Sequence, residues 1–476
     1  MTSDDIGKYM ERAFILDCPK MILRQNTEPA SRVYEGPGSI YQTANGDLVF
    51  KLFAGGGPDR STLARIIGED SVKSGEIIPR SEYFSLEATS LSGAVWRGEF
   101  ILPDFSQGIA HGPVVTGSFY ELVKTMSAPH SKGHNPNLSL RFAEGFDFPG
   151  NTSAITKRYV GNKETGMSGD WTPARFEANG LEFLLQKEQG SAFLSAQSKN
   201  TILPHNLDLR ICEALEFTLF ESERWVIRVV SENEQIATTL RPFPKERVRK
   251  APRPPIGFRD RLTSEYVWKL FAKYLEYVAM HPQAECHPVS ENVHLAVSGD
   301  ASPLDAGLLA LSVGVEGVLK AGFPKLGVPD RSLGEQIEAA RKLVVDSVLN
   351  ESFKRRLSGA LGAMYTPRAK DKLLALVGAG LIRKDLMTAW ETIRNSTVHA
   401  AGLDPTAIAN IYHNYQSALT LLNELVFLVI GYAGQYTDYS VAGWPLRNFG
   451  KTMRDVEASL EQVISLADGA PKDGSI

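Results

Sequence analysis

The feature that most constrains the fold is a segment rich in proline and arginine near the middle of the 476-residue chain. The stretch RPFPKERVRKAPRPPIGFRDR, residues 241–261, contains five prolines and many more basic than acidic side chains. Because proline lacks a backbone donor and fixes φ, this stretch cannot form a central strand or a regular helix. Hydrophobic residues follow a different period on each of its sides, so we expect two regions of different structural class.

The region before this segment is predicted to be rich in β-strands. Residues 47–53, DLVFKLF, alternate apolar and less apolar positions as a half-buried strand does. Further predicted strands are residues 82–89, 93–102, 181–186, 192–196, 207–210, 216–221 and 224–230. Because they are short and separated by Gly, Pro, Asn and Ser, residues 1–240 are predicted to form an antiparallel, sandwich-like region of one or two subdomains.

The region after the segment follows a helical period. Ser332 to Glu335 form a capping box, and Thr366 with Pro367 is a typical helix start. Further helices are predicted at residues 384–399, from 404 to about 431, and at 451–467. The chain is therefore predicted to be an α+β multidomain protein, in which a linker, residues 241–262, precedes an all-α bundle, residues 263–476.

Composition limits the function. The net charge of −4 provides no overall basic field, so any nucleic acid must bind locally. Three distant cysteines favour a reducing compartment over a disulfide framework. The N-terminus has no signal-peptide pattern, and the most apolar segment, residues 421–433, is shorter than the roughly 20 residues that a membrane span needs. We expect a cytoplasmic protein without a membrane partner.

The strongest candidate site lies on the predicted helix KDLMTAWETIRNSTVHAAG, residues 384–402. Arg394, Asn395 and His399 occur near its end, opposite or beside an apolar stripe. An Arg followed by a His at this spacing is a weak signal by itself. Asn directly after the Arg, the helix end and the all-α surroundings make it more specific. The alternative is a solvated helix end, with Arg394 paired to Glu391 or another neighbour.

The run IRNSTVHA, followed by a long capped helix, resembles the signature of HEPN-domain ribonucleases. A β-rich half joined to such a domain is similar to anti-phage nucleases of the ApeA type. The resemblance implies an endoribonuclease toxin that needs no metal or other cofactor and acts as a homodimer or higher homo-oligomer. It also implies antiviral defence by abortive infection, in which a phage-derived trigger, acting through the N-terminal region, releases cleavage of cellular RNA such as tRNA.

The chemistry of the three residues agrees with that role. RNA supplies its own nucleophile, the 2′-hydroxyl, so the protein needs a group that transfers protons near neutral pH, which His399 provides. Arg394 offers a permanent planar cation for the charge of the transition state. Asn395 can orient the imidazole or hold a phosphate oxygen. The acid and base roles stay open, since a single His leaves no separate acid, and this favours a second copy of the helix across a dimer.

Other candidates carry weaker signals. Possible supporting residues are Glu391, His413, Tyr436, Asp438 and Tyr439, each of which also suits an ordinary helix face or turn. Residues of the basic segment that could hold RNA phosphates are Arg247, Arg249, Lys250 and Arg253, with a solvated linker as the alternative.

Neither a metal site nor a second catalytic motif is predicted. The cluster of His281, Cys286, His287 and His294 matches no zinc-ligand spacing. The alternative to a nuclease is a non-catalytic HEPN module for binding or dimerisation, attached to a β-rich ligand-binding domain.

Overall fold

The structure is a computed structural model that divides into two compact units. The described residues are 3–27, 32–55, 77–108, 112–127, 135–160, 163–170, 173–188, 190–199, 202–222, 224–245, 253–257, 263–300, 302–326, 331–365, 367–398 and 408–451. The β-rich unit comprises Met1–Asp208 and Glu223–Arg247, and the helical unit comprises Leu209–Ser222 and Val248–Ile476.

In its described residues the β-rich unit begins with helix α1, Ser3–Met10, includes a single turn of 3-10 helix, Arg80–Glu82, and is otherwise built of strands and loops. These are β1 (Ile15–Gln25), β2 (Val33–Gln42), β3 (Leu48–Phe53), β4 (Phe84–Thr89), β5 (Val95–Ile101), β6 (Asp104–Gly108), β7 (Gly112–Ser118), β8 (Leu122–Ser127), β9 (Asn137–Phe142), β10 (Ala154–Val160), β11 (Lys163–Asp170), β12 (Ala174–Ala178), β13 (Leu181–Glu188), β14 (Ser191–Ser198), β15 (Trp225–Glu232) and β16 (Gln235–Leu240).

Fourteen of the described strands form one antiparallel sheet. Its order is β12-β13-β14-β9-β15-β16-β8-β5-β4-β1-β2-β3-β7-β6, and β10 pairs with β11 separately. The alternation read from the sequence is present, because Leu48, Phe50 and Leu52 of β3 are fully buried while Val49 and Lys51 are half-buried. The predicted antiparallel, β-rich N-terminal region is confirmed.

The helical unit contains most of one helix from the first half of the chain and all of those that follow. They are α2 (Leu207–Leu219), α3 (Ser264–Ala279), α4 (Pro288–Asp300), α5 (Leu304–Gly322), α6 (Arg331–Asp346), α7 (Glu351–Ala363), α8 (Ala369–Gly378), α9 (Lys384–Val398) and α10 (Ile408–Ile430). A hairpin of β17 (Gly434–Thr437) and β18 (Leu446–Phe449) follows α10. The predicted helical C-terminal region is confirmed, although this hairpin means that it is not wholly α. The helix predicted at residues 451–467 lies almost entirely outside the described residues.

Helix α2 corrects the sequence analysis, which predicted strands at residues 207–210 and 216–221. Phe217, Thr218 and Leu219 at its end are all buried. Its partly exposed side is narrow and includes Asp208, Cys212 and Glu216, so the helical period is weak in the sequence. The ring of Phe217 stacks on that of Tyr274 in α3, with centroids 4.9 Å apart. Burial of most of its surface made this helix resemble two short strands in the sequence.

A buried ion pair joins α2 to the loop before α4. Arg210 donates from Nη1 to Glu213 Oε1 at 2.7 Å, and the two side chains are 1% and 3% exposed. Its Nη2 donates to the carbonyls of Gln283 at 2.6 Å and Glu285 at 3.1 Å. Glu213 also accepts from the backbone N–H of His287 at 2.9 Å. These bonds neutralise both buried charges and hold α2 in the helical unit.

No helix among the described residues combines the length and the apolar composition needed to cross a membrane.

Candidate active site

Helix α9 carries the predicted catalytic residues, and its buried face sets its orientation. Leu386, Trp390 and Ile393 are all buried, as the apolar stripe predicted. The indole Nε1 of Trp390 donates to the backbone carbonyl of Ser312 in α5 at 3.3 Å. This contact turns the other side of α9, including the exposed Thr388, away from the core.

Arg394 lies one turn beyond Trp390 and forms an ion pair with Glu316, which lies one turn beyond Ser312 on α5. Because the two contacts advance in the same direction on both helices, α5 and α9 run parallel here. The hydrogen bond to Glu316 raises the pKa of Arg394 above its ordinary value. The Arg394 and Glu316 side chains remain 43% and 32% exposed. Arg394 is therefore an anchored cation that solvent reaches.

Of the other two residues of the motif, the structure describes Asn395 but not His399. Asn395 is exposed on α9 directly after Arg394. His399 lies outside the described residues, since α9 is described as far as Val398. Two of the three predicted catalytic residues are thus placed on one solvent-reachable helix end.

His413 lies at the level of Arg394 on the neighbouring helix. Helices α9 and α10 pack side by side and are joined by a short connection, so they run antiparallel. Arg383, just before α9, has its Nε 3.9 Å from Oε1 of Glu424 in α10. Arg394 lies eleven residues after Arg383, and His413 lies eleven residues before Glu424. At about 1.5 Å per residue, both lie about 16 Å from that contact along their helices.

Three of the supporting candidates lie at the opposite end of α9. Asp438 is fully buried and accepts a hydrogen bond from Nη2 of Arg383 at 3.1 Å. The hydroxyl of Tyr436 donates to Glu424 at 2.8 Å, and burial raises the pKa of that carboxyl. Tyr439 is also buried and donates to a backbone carbonyl, that of residue 254, at 2.7 Å. Bonded and enclosed beside Arg383, they do not border Arg394.

Glu391 shares the polar side of α9 but has a partner of its own. Its Oε1 lies 2.7 Å from the ammonium nitrogen of Lys370 in α8. The sequence left open a pairing of Arg394 with Glu391 or a neighbour, and the structure assigns an ion pair to Glu316 of α5. That carboxylate was not among the predicted residues. It is the one acidic position in the largely apolar segment LSVGVEGVLK, one turn after Ser312, and this is the signal that could have identified it.

The structure describes only part of the basic segment. Residues 246–252, which include three of the four candidate RNA contacts, lie outside the described residues. The fourth, Arg253, is mostly buried and donates to Asp300 at 2.9 Å and to the hydroxyl of Tyr412 at 3.0 Å. Its guanidinium also lies over the rings of Tyr412 and Tyr415, 5.4 and 5.5 Å from their centroids. Arg253 is thus a mostly buried cation paired with Asp300, and its contact with RNA stays a prediction.

The histidine and cysteine cluster has structural roles in the helical unit. His287 precedes Pro288, the first residue of α4, and its Nδ1 accepts a hydrogen bond from the backbone N–H of Val289 at 3.1 Å. His294 has Nδ1 2.7 Å from a carboxylate oxygen of Glu216. Within the described ranges, no group of three His, Cys, Asp or Glu residues is arranged to hold a metal ion.

No family model, no curated protein and no solved structure matches this chain.

Proposed function

We propose that the protein is a metal-independent endoribonuclease in which Arg394, Asn395 and His399 act on the phosphodiester. The observation that carries the proposal is the anchored, solvent-reachable guanidinium of Arg394, which directly precedes the exposed Asn395. A fixed cation of this kind can bind a phosphate in a bidentate manner without reorganising as negative charge develops.

The reaction follows from these groups. An imidazole removes the proton of the RNA 2′-hydroxyl, and the 2′-oxygen forms a bond to phosphorus. The bond from phosphorus to the 5′-oxygen breaks, and a second group returns a proton to that leaving oxygen. Arg394 stabilises the charge on the non-bridging oxygens. The products are a 2′,3′-cyclic phosphate and a 5′-hydroxyl.

Two histidines are available for the two proton transfers. His399 belongs to the motif, and His413 lies at the level of Arg394 on α10. The sequence alone favoured a second copy of the motif across a dimer as the source of the missing acid. In this proposal His413 supplies it from the same chain, and a homodimer pairs two such ends.

The test is cleavage of defined RNA oligonucleotides and of tRNA by the full chain in the presence of EDTA. We expect cleavage that survives the chelator, leaves cyclic phosphate ends and stops when the 2′-hydroxyl at the cut site is replaced by hydrogen. Arg394→Ala and His399→Ala should each lower the rate at least about a hundredfold. Arg341→Ala, on the exposed side of α6, is the matched control. Undiminished cleavage by either active-site variant overturns the proposal.

A second candidate is a non-catalytic helical module attached to a β-rich ligand-binding domain. The pairing of Arg394 with Glu316 favours it, because a carboxylate that occupies the guanidinium competes with phosphate. The same assay separates the two, since a binding module retains association with RNA or with a second copy but yields no cyclic phosphate ends.

The biological setting that we propose is bacterial defence by growth arrest, in the cytoplasm where cellular RNA is the substrate. The β-rich unit regulates the cleavage and responds to a phage-derived trigger. Expression of the wild-type chain in growing bacteria should then be toxic, at least during phage infection, and Arg394→Ala should remove the toxicity at equal protein levels. Equal toxicity of the two chains would contradict this setting.

A further inference from the structure

A cavity of about 670 Å³ lies in the β-rich unit, where β5 adjoins β8. Its volume is that of a typical small-molecule site, about 300–1,000 Å³. The described residues that line the cavity all belong to the β-rich unit.

The cavity opens where the two strands separate. The ladder between β5 and β8 consists of two residue pairs, one of them Arg97 with Val123. If the same register continued, Glu99 would lie opposite Glu121 and Phe100 opposite Tyr120. These residues do not pair. Their side chains line the cavity instead.

The backbone of Phe100 has an unusual conformation, which supports a function for the cavity. Its φ is +55°, a left-handed value that bulky residues rarely adopt. It lies where the pairing of β4 with β5 shifts register, a device that redirects side chains. As a result the Phe100 ring is 55% exposed and lines the cavity rather than the core.

The charges around the cavity leave one carboxylate unbalanced. Glu121 accepts a hydrogen bond from Nε of Arg241 at 2.7 Å. Arg97 donates from Nε to Glu87 at 3.1 Å. For Glu99, no ion pair or hydrogen bond occurs with any residue of the described part of the chain. Two acids are thus paired with two arginines, and Glu99 remains an exposed anion at the cavity, available to an added cation.

Aromatic rings complete the environment. Phe100 and Tyr120 both line the cavity and both are exposed. The guanidinium of Arg241 already lies 5.7 Å from the centroid of the Tyr120 ring. Aromatic faces beside a carboxylate attract organic cations, while Val123 offers an apolar surface to the rest of a ligand.

We propose that this cavity binds an organic cation, in which an ammonium or guanidinium group is attached to an apolar or aromatic stem. Glu99 binds the cationic group, and Phe100, Tyr120 and Val123 contact the stem. The ligand is either a free amine or a basic side chain of a peptide, since both present the same chemistry. The inference does not depend on the ribonuclease activity.

The test is calorimetric titration of the full chain with three probes of similar shape. These are 2-phenylethylammonium, neutral 2-phenylethanol and anionic 3-phenylpropanoate. We expect saturable binding of the cation at one site, with the other two at least about tenfold weaker. Equal affinity for the three probes, or no binding of the cation at millimolar concentration, overturns the proposal. An acetylated Phe-Lys dipeptide amide distinguishes the sources, because tighter binding than that of the free amine assigns a peptide ligand and weaker binding assigns a free one.

Two variants locate the binding. Glu99→Gln should weaken it about tenfold, while Glu11→Gln, an exposed glutamate far from the cavity residues in sequence, should not change it. Phe100→Gly removes the ring at a position whose φ suits glycine, so the thermal midpoint should not fall while the affinity does. Full affinity in both Glu99→Gln and Phe100→Gly would place the cation elsewhere and refute the site.

Discussion

Replacing Arg210 by Met should cost the helical unit about 3–5 kcal/mol of unfolding free energy, the range for breaking a buried ion pair on one side. The Arg210 and Glu213 side chains are 1% and 3% exposed, so the uncharged thioether of the variant would leave the carboxylate of Glu213 buried without a cation. The carbonyls of Gln283 and Glu285 also lose a donor. Both lie on exposed residues, so water replaces that donor and they add little.

The assay is urea denaturation followed by circular dichroism at a helical wavelength, with the free energy taken from the midpoint and slope of the helical transition. Arg341→Met is the matched control, because Arg341 also pairs with a glutamate three residues away on a helix, but with side chains 43% and 54% exposed. That control should change the free energy by less than about 0.5 kcal/mol. Replacing Glu213 by Leu in the Arg210→Met background should recover part of the loss, since no buried charge then remains.

A loss of less than about 1 kcal/mol of unfolding free energy in the Arg210→Met variant would refute this reasoning, because leaving a buried carboxylate without its cation costs more than that. A loss in the transition of the β-rich unit alone would also contradict it, since α2 would then stabilise the wrong unit.

The remaining predictions concern pH, the anchor of Arg394 and the second proton donor. Burial lowers the pKa of His287 to about 4. The unfolded chain takes up that proton near pH 6.5 and the folded chain does not, so stability should fall by about 1–2 kcal/mol as pH drops from 6.5 to 4. His287→Asn, whose amide oxygen can accept the same cap bond, should flatten this dependence in denaturation at several pH values; an unchanged slope would contradict the assignment. Glu316→Gln should lower RNA cleavage about tenfold, with less than about 1 kcal/mol lost in stability, because Arg394 keeps its charge but loses its anchor. Faster cleavage would show instead that Glu316 restrains Arg394. His413→Gln should lower cleavage at least about a hundredfold, and an unchanged rate would assign the second proton transfer to the partner copy.

The elements that the sequence predicted well are those with one buried and one exposed face. Helix α9 alternates an apolar stripe with polar residues, so both its type and its starting residue, Lys384, followed from periodicity. Strand β3 was predicted for the same reason. Helix α2 was not predicted, because its surroundings cover all but a narrow, partly exposed side and so weaken the contrast on which periodicity depends.

The candidate site was predictable only where it is local in sequence. Arg394 and Asn395 are adjacent, and their place on one helix followed from spacing. Glu316 is separated from Arg394 by 78 residues, so its pairing depends on how α5 and α9 pack. Helix packing also decides which of the supporting candidates lie near Arg394. An antiparallel α10 brings His413 to the level of Arg394, and the residues after α10 return to the start of α9.

The placement of α2 has a consequence for how the protein is made and handled. The chain contributes to the helical unit twice, with the strands β15 and β16 in between. During synthesis at about 5–20 residues per second, Arg210 precedes its partners near His287 by about 4–15 s. Throughout that interval the apolar residues of α2 that become buried, such as Phe217, lack their cover, which makes this segment a natural client for a chaperone. For the same reason a protease cut or an engineered truncation near residue 240 would not release an intact helical unit, because it would leave α2 behind.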